Sequence, residues 1–126
     1  MAKNVSGTYE PCATARLYNT SGADVVIDEL CLLGAVPAVA RDDTASGAQG
    51  GFLLGGNGAI LQTAEFVTDE GTFAAGNASV YFDTTTKKIS DTSTAGYYLV
   101  GQTTEPLTNG VVNFILYPTA TVVPEA

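Results

Sequence analysis

The chain has 126 residues, enough for one domain whose core needs no disulfide or metal staple. Only 14% of them are charged, against about a quarter in an ordinary globular domain. Thirteen acids against five bases leave a net charge of −8, which repels phosphates and argues against DNA, RNA and anionic membranes as partners. The absence of histidine excludes Ser-His-Asp and Cys-His catalysis and histidine-ligated metals. So few charges also leave uncharged and apolar surface that suits contact with another protein.

In chain order, residues 1–14 show no strand alternation and read as an extended N-terminal arm. It carries Lys3, Tyr9, Glu10 and Pro11, the expected contacts with a partner. An arm of this kind orders when it docks, or simply frays. MAKNVSGTYEPC has no apolar core, so no signal peptide is expected, and no run reaches the roughly eighteen apolar residues of a membrane span. The expectation is a chain made in the cytoplasm, with Cys12 and Cys31 reduced and the sequons at Asn4, Asn19 and Asn77 unused. Cys31, inside LCLLG, reads as a small core residue.

Residues 15–117 read as the folded domain. Short apolar segments divided by glycine-rich and Thr/Ser-rich turns predict strands at 15–19, 25–28, 30–34, 37–40, 50–54, 59–66, 79–83, 87–90, 97–101 and 111–117. Such pieces indicate a single all-β domain, a small antiparallel β-barrel or sandwich with short hairpins and extended termini. The windows IDELCLL and LQTAEFVTDE show no sustained helical period and are flanked by glycines. Residues 39–54 and 100–116 echo one another: each runs from a strand end through an acidic turn and a glycine (Gly47, Gly110) into a second strand. This fits a faint duplication or two similar β-turn-β units.

VVNFILY (111–117) places Val112, Phe114 and Leu116 on one face of a strand and Val111, Asn113, Ile115 and Tyr117 on the other. Both faces are largely apolar. That fits a central strand covered on both sides, or a second face that meets a neighbouring subunit. The last residues, 118–126, are bracketed by Pro118 and Pro124 and read as an extended C-terminal tail that cannot continue a sheet.

Three acid groups stand out: Asp24/Asp28/Glu29, Asp42/Asp43 and Glu65/Asp69/Glu70. None has calcium-loop spacing, and nothing singles out a pair for acid–base hydrolysis. GAQGGFLLGGNG fits neither a phosphate loop nor a dinucleotide fingerprint, and tight turns explain its glycines. No catalytic residue, cofactor or metal is expected. The basic stretch VYFDTTTKKIS (80–90) holds Lys87 and Lys88, two of the three lysines. The alternation of Val80 and Phe82 against Tyr81 and Asp83, with Ile89 returning to the core, makes it a hairpin whose lysines guard an edge.

In this order the strands and turns resemble the tailed-phage head decoration (capsid cement) family. The similarity lies in SGADVVIDELCLLGAVPAVARDDTASGAQGGFLLGGNGAILQ (21–62), AAGNASVYFDTTTKKIS (74–90) and YYLVGQTTEPLTNGVVNFIL (97–116). Phe82 stands where the family pattern has tryptophan, and residues 1–14 and 118–126 match no part of it. The resemblance implies a structural protein that coats the outer surface of the mature head and cements neighbouring major capsid subunits against the pressure of packaged DNA. It also implies a homo-oligomer, a trimer at threefold positions or a dimer at twofold ones. The alternative reading is a phage surface or tail module that stacks host glycans on exposed tyrosines.

Overall fold

The computed structural model describes residues 13–56, 58, 60–66 and 73–124. Among them there is no helix, and nine strands form two antiparallel sheets. They are β1 (Ala13–Tyr18), β2 (Leu30–Leu33), β3 (Val36–Ala40), β4 (Gln49–Leu54), β5 (Ile60–Thr63), β6 (Ser79–Asp83), β7 (Lys88–Ser90), β8 (Tyr98–Thr103) and β9 (Val112–Val122). The first sheet runs β1-β4-β3-β2 and the second β5-β9-β8-β6-β7. Phe66 adds a parallel bridge to Ile89, so the chain leaving β5 crosses to β7 and curls the second sheet toward closure.

Local chemistry explains the joints. β2 and β3 pair Leu33 with Val36 across Gly34 and Ala35, with Gly34 at φ 68°. A left-handed first central residue is what a two-residue type II′ hairpin turn demands, and glycine takes it without strain. The two echoing segments become β3–β4 and β8–β9, one turn-connected antiparallel pair in each sheet.

The larger core lies inside the curled second sheet. Val80, Phe82, Ile89, Val100, Val112 and Phe114 are buried there, with Leu30 and Leu32 of the first sheet packed against them. Burial of this apolar surface is the main stabilising term. A smaller cluster gathers Cys31, Leu33, Ala38, Ala40 and Phe52. The loop that follows β1 adds Val25 to it, 3% exposed. Asn19, 1% exposed, organises that loop. Its Nδ2 donates to the carbonyls of Ala23 and Thr44, and its Oδ1 accepts from the Ser21 amide and hydroxyl. Both amide hydrogens are engaged inside the protein, which leaves that sequon nitrogen with no room for a sugar.

Two strand expectations are corrected. Residues 25–28 form no strand: Val25 makes one isolated bridge to Thr44, and Asp28 turns left-handed at φ 73°. The final strand does not stop at Tyr117 but continues through Pro118 to Val122. Its register against β8 slips between the Leu99–Thr121 and Gly101–Leu116 pairs. Pro118 falls in that slipped stretch, where a missing N–H breaks no ladder bond. Beyond it, the Ala120 amide donates to the Ala35 carbonyl at 2.7 Å and ties the strand to the β2–β3 turn. Gly55 fits the same junction, because a Cβ there would collide with the Leu116 and Tyr117 carbonyls.

Candidate functional site

The basic stretch is a hairpin. β6 and β7 pair Asp83 with Lys88 and Phe82 with Ile89. At the turn, Asp83 accepts bonds from the Thr85 amide (2.9 Å) and the Thr86 hydroxyl (2.8 Å), and Lys87 sits left-handed at φ 62°. Lys87 reaches Glu29 at 3.6 Å, a partly exposed pair that contributes little to stability. It joins the hairpin to the loop that covers the smaller core.

The acids hold backbone. Asp24 accepts from the Ser46 amide, Asp42 from Gly51, Asp43 from Ile27 and Glu29 from Val26, each at 2.9–3.0 Å. A carboxylate on an amide is a strong use of an acid in a turn, and it spends these side chains on shape. Asp69 and Glu70 lie outside the described residues. No group of three potential metal ligands occurs among the described residues.

Between the sheets lies an open cleft of about 640 Å³. Leu53, Leu61, Phe82 and Phe114 form its apolar floor, and Glu29, Arg41, Glu65 and Lys87 stand at its mouth. Among the described residues, the acids that line it, Asp28, Glu29 and Glu65, share no hydrogen bond.

The predicted subunit face lies on β9, between β5 and β8. Val112, Phe114 and Leu116 are buried, as the alternation demands. On the opposite face Ile115 and Tyr117 are half-buried, as is Val111, which precedes the strand in an isolated bridge to Thr108. Asn113, 6% exposed, is covered: Gln62 donates to its Oδ1 at 2.7 Å. The Tyr117 hydroxyl donates to Gln102 at 3.1 Å, and Gln102 donates on to Asn77 at 3.3 Å. Cross-strand register extends this face beyond the predicted residues. Ile60, 59% exposed, stands opposite Ile115, and Leu99 stands opposite Tyr81. Alternation within SVYFD already turned Tyr81 outward, but Ile60 and Leu99 join only through pairing that no local pattern encodes.

Lys3, Tyr9, Glu10 and Pro11 lie outside the described residues. Apart from Ile60, the large apolar side chains most open to solvent include Val26 and Ile27, 52% and 56% exposed. Their run of β-branched residues imitates a strand, so only the acids that follow, Asp28 and Glu29, hinted at a turn.

A family model described as phage cement protein matches residues 10–118, which corrects the expectation at the ends by taking in residues 10–14 and 118. No curated protein and no solved structure matched the chain.

Proposed function

The chain belongs to the phage cement protein family, a family of structural capsid components, and from that premise we propose that it coats the outside of the mature head. There it cements neighbouring major capsid subunits against the pressure of packaged DNA. The observation that carries this reading is the extent of the match, which runs from residue 10 to 118 and takes in both sheets. A lattice of repeated sites multiplies modest contacts into firm attachment, so the protein needs a stable scaffold and exposed contact points.

The outward face of the second sheet supports self-association into a trimer, with a dimer as the other cyclic form. Val111, Ile115 and Tyr117, with Ile60 beside them, offer half-exposed apolar surface there, and Asn113 fixes the polar seam. The N-terminal segment with Lys3, Tyr9, Glu10 and Pro11 is the proposed capsid anchor.

Co-sedimentation with expanded, undecorated heads tests the reading. Saturable binding at a fixed ratio to capsid subunits is the expected result, and a chain that stays in the supernatant refutes it. Removing residues 2–10 is expected to leave the melting midpoint unchanged and to weaken binding. If the truncated chain saturates heads at the same concentration, the anchor lies on the β surface instead.

A further inference from the structure

The turn at Val25–Glu29 spends every backbone amide on holding two apolar side chains in water. The Val25 amide donates to the Thr44 carbonyl, Asp28 to Ala40 and Glu29 to Val26, at 2.7–3.1 Å. The Val26 amide donates to the Glu29 carboxylate and the Ile27 amide to the Asp43 carboxylate, both at 2.9 Å. Asp28 takes the third turn position at φ 73°, a slot that favours glycine. A turn so fully tied is rigid, yet Val26 and Ile27 at its crest are 52% and 56% exposed. Their neighbour Val25 is 3% exposed and plugs the smaller core. The fold thus uses one valine of the run and presents the next two side chains outward.

We propose that Val26 and Ile27 form a preorganised apolar knob that docks into an apolar notch edged by lysine or arginine on a protein of the head lattice. This rests on the capsid reading above. The basic edge follows from charge: Asp28 adjoins the crest in the chain, and the Glu29 and Asp43 carboxylates hold its Val26 and Ile27 amides, with Lys87 beside Glu29. Lys87 is already drawn to Glu29. A nucleic acid or an anionic membrane is repelled by these acids, and so is the same turn of a second copy. A rigid turn loses little freedom when it docks, so small apolar side chains at its crest bind efficiently.

The test is binding to undecorated heads by wild type, V26S/I27S and the conservative V26I/I27V, with melting midpoint and sedimentation measured in parallel. V26S/I27S is expected to bind about tenfold more weakly or worse, with unchanged midpoint and oligomeric state, while V26I/I27V binds like wild type. Undiminished binding by V26S/I27S overturns the knob and leaves the capsid reading standing. A changed oligomeric state overturns it in favour of a second copy as the occupant. A drop in midpoint, matched by deletion of residues 2–10, overturns it in favour of the chain's own N-terminal segment. Wild type that fails to bind heads overturns both the knob and the reading beneath it.

Discussion

Two neighbouring turns use the same chemistry to opposite ends. The β6–β7 hairpin and the Val25–Glu29 turn each place a non-glycine residue in the left-handed region, Lys87 at φ 62° and Asp28 at φ 73°. Each is braced by carboxylates on backbone amides. One crest shows threonines and lysine to solvent, and the other shows valine and isoleucine. Bracing stabilises either turn, so the crest side chains are left to serve something other than folding. Glu29 connects the two, one oxygen on the Val26 amide and the other facing Lys87.

The largest effect expected is beneath the turns. Phe82, 2% exposed, supports the hairpin from inside the larger core, so Phe82→Ala should cost about 3–5 kcal/mol in urea unfolding. A loss no bigger than that of a crest variant would mean that stability does not reside below the turns.

Next come the braces. Asp83→Ala removes the acceptor of two bonds and should cost about 1–2 kcal/mol, while Asp43→Ala removes the acceptor of one and should cost about 1 kcal/mol. Equal melting midpoints for wild type and both variants would dissolve the parallel between the turns. Smaller still is relief of left-handed strain. Asp28→Gly should raise stability by up to about 1 kcal/mol, and Lys87→Gly by less, because it also loses Glu29. A lowered midpoint for Asp28→Gly would show that its side chain holds the turn by more than its conformation.

The smallest effect reads the space between the turns. Cys31 lies there with Val25, Thr84 and Lys87. Burial first, and then Glu29, push its thiol up from 9.0 to about 11, against a lowering by Lys87. The folded chain therefore holds this proton more firmly than the unfolded one. The stability linked to it is whole below pH 9.0 and is lost as pH rises toward about 11. In a Cys12→Ser background, a disulfide reagent at neutral pH should react slowly with Cys31 until urea is added. Glu29→Gln should lower its titration point and Lys87→Ser should raise it. Shifts of the opposite sign would separate the turns electrostatically.

Much of the fold was legible because its signals are local. The alternation in SVYFD and VVNFILY fixed which side chains enter the core, and the return of Ile89 to it after Lys87 and Lys88 marked a hairpin. VVID misled because β-branched residues suit strands, while its actual shape depends on Asp43, sixteen positions away in sequence. β9 ran past its expected end because a register slip gave Pro118 a place without a ladder bond. The outward face was legible on β9 and, through Tyr81, on β6. Its extension to Ile60 and Leu99 needed strand register, which arises from tertiary pairing.

The central claim is that the chain holds capsid subunits together, and the temperature at which DNA-filled heads release their DNA measures that most directly. Heads saturated with wild-type protein should release DNA at a higher temperature than undecorated heads, and heads left sparsely covered by V26S/I27S at the same concentration should fall between. Saturated heads that release DNA at the temperature of bare ones would contradict the account.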